Sequence, residues 1–111
     1  MFKVTEEPEF THEVPIQVPE DDGHREDMLR TRFRAISLSD GEDYDLTTKE
    51  GTTAYLQRIV VTFENLVTDE ETPKQIECTD AIRDQLLDMA YIRTGLTTAY
   101  MRAMHRARVG N

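Results

Sequence analysis

Asp27-Met-Leu-Arg-Thr-Arg-Phe-Arg-Ala-Ile36 is the stretch that decides the fold class. Leu29, Thr31, Phe33 and Ala35 alternate with Arg30, Arg32 and Arg34, and Met28 and Ile36 stand at the ends of the arginine side. A helix would scatter the three arginines around its circumference, whereas a strand lines them up on one face. Upstream, Phe10, His12, Val14, Ile16 and Val18 alternate with Thr11, Glu13, Pro15 and Gln17, which is a second run of period two. Pro15 has no backbone donor, so this strand is expected at a sheet edge. Pro19-Glu20-Asp21-Asp22-Gly23 between the runs is turn chemistry. The two runs therefore predict an antiparallel β-hairpin over residues 10–37. A lone hairpin is marginal in water, so another element must cover its apolar face.

Downstream the period changes. Ser39-Asp40-Gly41 and the acids Glu42, Asp43 and Asp45 predict a solvated loop over 37–46. Thr47 and Glu50 have capping-box spacing and open a predicted helix over 48–67. Tyr55, Leu56, Ile59, Val60, Phe63, Leu66 and Val67 recur along it at three- and four-residue steps. The run Ile59-Val60-Val61 also suits a strand, because β-branched side chains lose freedom in a helix. Gly51 falls in the first helical turn. Residues 68–77 are a polar connector. Thr79 is placed to cap a second helix, with Asp80 in its first turn. Its expected stripe is Ala81, Ile82, Gln85, Leu86 and Met89. The last helix is predicted from about residue 90 to 108, burying Ile92, Leu96, Ala99, Tyr100, Ala103 and Ala107, with Gly110 beyond its end. The expected architecture is a single α+β domain over 1–111. It has a flexible arm at 1–9, a hairpin at 10–37 and a three-helix part over 47–109.

The charge distribution is bipolar. All 22 acidic side chains precede residue 89, and the remainder carries Arg93, Arg102, Arg106 and Arg108 with no acid. A net charge of −9 argues against nucleic-acid binding, which needs clustered cations to displace counterions, and against anionic membranes. No apolar run reaches the length of a bilayer span, and the start of the sequence lacks the apolar core of a signal peptide. The single cysteine, Cys78, has no internal disulfide partner, consistent with a reducing cytoplasm. An acidic body with a basic helical end points to assembly with other chains, self-association included.

Chemistry-bearing motifs are missing. The five glycines are scattered, so no phosphate loop is expected. His12, His24 and His105 stand far apart, and with one cysteine they give no metal-ligand spacing. Asp40, Glu42, Asp43 and Asp45 resemble a calcium loop only loosely, since Gly51 occupies the position where such a loop needs its bidentate glutamate. Cys78 beside Thr79 is better read as a neighbour of a helix cap than as a reactive thiol. No cofactor, metal or enzymatic activity is expected. The arginine stripe of the second strand admits two readings: a solvated face balanced by acids such as Glu13 and Asp27, or a surface for an acidic partner. Met101 and Met104, beside Arg102 and Arg106, suit either an adaptable binding surface or core filling.

From its middle onward the chain resembles the tail assembly chaperones of long-tailed bacteriophages and prophages. The resemblance lies in Tyr55-Leu-Gln-Arg-Ile-Val-Val-Thr-Phe-Glu-Asn-Leu-Val-Thr-Asp-Glu70. It continues in Leu86-Leu87-Asp88-Met89-Ala90-Tyr91-Ile92-Arg93, in Leu96 and Ala99-Tyr100, and in the ending Ala107-Arg108-Val109-Gly110-Asn111. Asp43-Tyr-Asp-Leu-Thr47 is similar as well. Where relatives often carry Gly-Trp, this chain has Thr62-Phe63. The resemblance implies a non-enzymatic protein of the host cytoplasm, absent from the mature virion. It would bind the tape measure protein, keep it soluble and help recruit tail tube subunits. Many such proteins also exist in a longer, frameshifted form, and this chain would correspond to the short one.

On that basis the expected client surface is formed by the helices at 48–67 and 90–108. Arg93, Tyr100, Met101, Arg102, Met104 and Arg106 are the expected partner-binding residues. Two other readings of the acidic composition are a small regulator (an antitoxin or a DNA-mimicking anti-repressor) and a head–tail joining subunit. The basic last helix fits a DNA mimic poorly.

Overall fold

The structure is a computed structural model and describes residues 1–105. The period-two runs form β1 (Glu9–Glu20) and β2 (Gly23–Arg34), paired antiparallel from Glu9↔Arg34 to Glu20↔Gly23. Asp21 and Asp22 make the connection, and Gly23 carries a φ of 142°, which a side chain would strain. Val14, Ile16, Thr31 and Phe33 lie on the buried face, as their alternation predicts. On the other face Glu13 pairs with Arg30 at 2.9 Å and Glu9 with Arg32 at 2.8 Å. Arg34 donates to the Arg58 carbonyl at 2.7 Å. Asp27 pairs with Arg25 instead of the stripe. The stripe is thus a self-balanced solvated face. Each such exposed pair contributes only about 0.2–1 kcal/mol.

The sheet has a third strand among the described residues. The predicted helix over 48–67 stops early: α2 spans Lys49–Ile59, and Val60–Phe63 form β3 against β2, giving the order β1-β2-β3. The physical reason is the β-branched run. Val60 takes an extended conformation (φ −96°, ψ 115°), and β2 offers unpaired backbone groups on its far edge. Val60 and Phe63 also enter the core. Where β3 ends, Asn65 continues the ladder with its side chain. Its Oδ1 accepts from Arg30 N and its Nδ2 donates to Met28 O, both at 2.9 Å. This amide stands in for a peptide unit. Asn65→Ala should therefore cost about 1–2 kcal/mol in urea unfolding, and Asn65→Asp, which keeps only the acceptor, should recover part of it.

β1 is an edge strand, as Pro15 requires. Pro8 O accepts from Ala35 N, and Arg30 O accepts from Glu64 N on the β3 side. Antiparallel alternation then turns the backbone of Glu13, Pro15 and Gln17 away from β2. Pro15 sits where its missing donor faces the open edge and blocks strand addition there.

The helical part differs from expectation in three places. The segment read as a loop contains a short helix, α1 (Leu38–Glu42), capped by Ser37. The cap of α2 is Thr48, whose Oγ1 accepts from Gly51 N at 2.9 Å, while Thr47 bonds Asp45. α3 (Asp80–Leu87) is capped by Thr79 as expected, but its buried residue is Leu87, and Ala81, Gln85 and Met89 are exposed. The polar connector folds back on itself through Thr68 N→Lys74 O and Ile76 N→Leu66 O, both 2.8 Å. α4 (Ala90–His105) follows α3 directly and buries Ile92, Leu96 and Tyr100 against the sheet. The expected burial of Ala107 and the end at Gly110 lie outside the described residues. The fold is α+β: a three-stranded antiparallel sheet with four helices among the described residues. Of the arm, Glu9 belongs to β1, and Glu7 is ion-paired to Arg58 of α2.

Candidate functional site

Two of the six expected partner-binding residues hold the fold together. Arg93 donates to Leu87 O at 2.6 Å, to Lys49 O at 3.3 Å and to Thr53 Oγ1. It staples the start of α4 to the end of α3, where carbonyls lack helical donors, and to the first turns of α2. Tyr100 is 2% exposed. Its hydroxyl accepts from Ile36 N at 3.1 Å and donates to Arg34 O at 3.2 Å. Its ring lies 5.5 Å from Phe33 and 6.1 Å from Tyr55, centroid to centroid. Burial raises the Tyr100 pKa and pushes Tyr55 up to about 12, with Tyr100 nearby as a second cause for Tyr55. α2 and α4 therefore meet through buried rings, so Tyr100 is not available at a surface formed by the two helices.

The remaining residues do not gather. Arg102 is exposed, Met101 half-buried and Met104 exposed. At about 100° per residue, Met104 lies roughly 200° around the helix from Arg102, so the two face different neighbours. Arg106 lies outside the described residues.

The other flank of α4 is open. Between it and the outer side of β1 runs a groove of about 620 Å³. Glu13, Pro15 and Gln17 of β1 form one wall, with His12 and His24 beside them. Tyr91, Thr94, Gly95, Thr98, Ala99, Arg102 and Ala103 of α4 form the other. The two walls approach closely at Gly95. A Cβ there would stand 2.5 Å from Ile16 Cδ1 and 3.1 Å from Pro15 O, so glycine allows this approach without displacing the Ile16 side chain. Rings and methyls from Tyr91, Pro15, Ala99 and Ala103 give the groove apolar surface, and Thr98 adds a hydroxyl. Arg102 makes no ion pair among the described residues. Glu13 is held by Arg30. The volume lies within the usual range of ligand sites, about 300–1,000 Å³.

This lining is suited to holding a chain segment. The Thr94 hydroxyl donates to Ala90 O at 3.1 Å within its own helix. Among the described residues no three of His, Cys, Asp and Glu come together as a metal site. Of the acids at 40–45, Asp40 bonds Arg58 and Asp45 bonds Thr47, whose hydrogen bonds lower the Asp45 pKa. The groove had one signal in the sequence: Tyr91, Thr94, Gly95, Thr98 and Arg102 recur at helical spacing beside the core stripe. That face is small and polar, so it does not announce itself by hydrophobicity.

No described helix is long and apolar enough to cross a membrane. Comparison of the chain with known proteins finds no match among family models, curated proteins or solved structures.

Proposed function

We propose that this protein works by holding another protein, as a tail assembly chaperone that binds a tape measure protein and helps recruit tail tube subunits. It acts in the host cytoplasm, without a catalytic step, and leaves before the virion is complete. The groove between β1 and α4 is the observation that carries the reading. It is preformed, its walls rest on the packed core, and its mixed apolar and hydroxyl lining suits a segment of a client chain. The resemblance over 55–70 and 86–100 supplies the identity of the client. The net charge of −9 opposes self-aggregation of a loaded complex.

Thr98 is exposed on α4 and lines the groove, so Thr98→Arg fills the site without touching the core. Co-expressed with a tape measure segment, the variant should bind it at least about tenfold more weakly, a loss of about 1.4 kcal/mol. Arg102→Glu should act in the same direction, and Glu70→Lys, at an exposed residue that does not line the groove, should not. Equal client binding by Thr98→Arg and the wild type would refute the placement.

A further inference from the structure

Arg102 stands apart from the other described arginines. Arg25, Arg30, Arg32, Arg34, Arg58 and Arg83 each pair with a carboxylate. Arg93 donates to carbonyl and hydroxyl oxygens. Arg102 meets no acid among the described residues, in a chain that carries 22 of them. Its own helix cannot supply one, because α4 has no Asp or Glu from Ala90 to His105. Across the groove, Glu13 is turned to Arg30, whose Nε and Nη2 donate to its Oε1 at 3.1 and 2.9 Å. The groove therefore holds one uncompensated positive charge. The α4 side chains around it are short, with Thr98 and Ala99 about one turn back and Ala103 next to it. Gly95 lies against Pro15 and Phe10 against Tyr100, so β1 and α4 run in opposite directions along the groove. Arg102 and His12 thus mark one end, and Tyr91 and Gln17 the other.

We infer that the groove takes an extended acidic segment of a polypeptide, with an Asp or Glu carboxylate on Arg102 and an apolar side chain against Tyr91 at the other end. This names the class of client for the site and rests on the reading above that the groove is where a client binds. A guanidinium fork matches a carboxylate through two parallel hydrogen bonds. Tyr91 and Arg102 are about 16 Å apart along α4, the span of about five extended residues. Between them Gly95, Thr98 and Ala99 leave room for small side chains. Pro15 prevents a continuous added strand at the middle of the β1 edge, so side-chain contacts decide what binds. The net charge of −9 repels a polyanion such as a nucleic-acid strand, which needs clustered cations. A segment with one carboxylate among apolar residues needs a single local cation, and Arg102 supplies it.

The test titrates the full chain, labelled for amide NMR, with three end-blocked peptides: Gly-Glu-Ala-Val-Ala-Phe-Gly and its versions with Gln or Lys in place of Glu. The acidic peptide should shift the amides of Gly95, Thr98 and Arg102. At low salt it should bind at least about threefold more tightly than the Gln peptide, the strength of a well-formed exposed ion pair. The Lys peptide should bind more weakly still. Arg102→Gln should make the acidic and Gln peptides equal, and Arg102→Glu should reverse the order in favour of Lys. Arg102 is exposed, so neither substitution disturbs the core. Lys74→Gln, at an exposed cation that does not line the groove, should change nothing. Equal binding of the three peptides, or no shift of the groove amides, overturns the inference. So does a preference for the acid that survives Arg102→Gln, or a thymidine oligonucleotide that binds the groove more tightly than the acidic peptide. Tape measure binding that Thr98→Arg blocks and Arg102→Gln leaves untouched refutes this inference alone. Acidic-peptide binding without tape measure binding refutes only the proposed function.

Discussion

Gly51→Ala is expected to destabilise the protein by about 3 kcal/mol, against the rule that alanine favours a helix over glycine by about 1 kcal/mol. Gly51 lies in the first turn of α2, directly under the turn that feeds the helix. A Cβ there would overlap Asp45 O and stand 2.6 Å from Asp45 C and 2.9 Å from Thr48 Oγ1. The crowding atoms are mostly backbone and are fixed in place. Thr48 donates to Asp45 O through both N and Oγ1, at 3.3 and 3.1 Å. Making room means shifting that turn and losing the Gly51 N→Thr48 Oγ1 cap, itself worth about 1 kcal/mol. For a domain of this size the loss should lower Tm by roughly 12–24 °C. Gly41→Ala is the matched control, because a Cβ there meets only Tyr55 Cε1 at 3.9 Å and should be neutral or slightly stabilising. Equal stability of Gly51→Ala and the wild type would show that the 45–48 turn yields freely.

Alkaline pH should produce the second large effect. Tyr55 is 5% exposed, and burial, with Tyr100 adding to it, pushes its pKa up to about 12 from the ordinary 10. A raised pKa on an acid means the folded state favours the neutral phenol. Its stabilisation is complete below pH 10, where the unfolded chain is also neutral. It is lost as pH rises from 10 towards 12, while only the unfolded chain ionises. The loss is about 1.4 kcal/mol per pH unit within that window. Burial raises the Tyr100 pKa too, so its contribution has the same sign. Urea unfolding at pH 9 and pH 11 should differ by at least about 1.4 kcal/mol in the wild type, and by visibly less in Tyr55→Phe. An unchanged pH dependence in Tyr55→Phe would mean that Tyr55 ionises freely in the folded protein.

The hairpin was legible because its signal is local. Period-two alternation assigns each side chain a face, and a two-residue connection then dictates the register. Pro15 on an edge and Thr79 at a cap rest on equally local chemistry. β3 was not legible as a strand from its stripe. Ile59, Val60 and Phe63 continue a helical spacing, and what turns the chain is the free edge of β2, far back in the sequence. The choice of Thr48 over Thr47 as cap was decided by the Asp45 turn, a difference of one residue between identical side chains.

The candidate site was the least legible part. Arg93 and Tyr100 have the chemistry of binding residues, yet each is spent on backbone groups of neighbouring elements. The groove depends on α4 crossing β1 at Gly95, a contact between residues about 80 positions apart that no local pattern encodes.

Residue order alone determined the strand faces, the edge position of β1, the acidic body and the arginine-bearing end, because each follows from periodicity or charge along a short window. Tertiary structure decided where the β-branched run would pair and which side of α4 would stay open. Both outcomes depend on free backbone groups and apolar surface that exist only once distant segments have met.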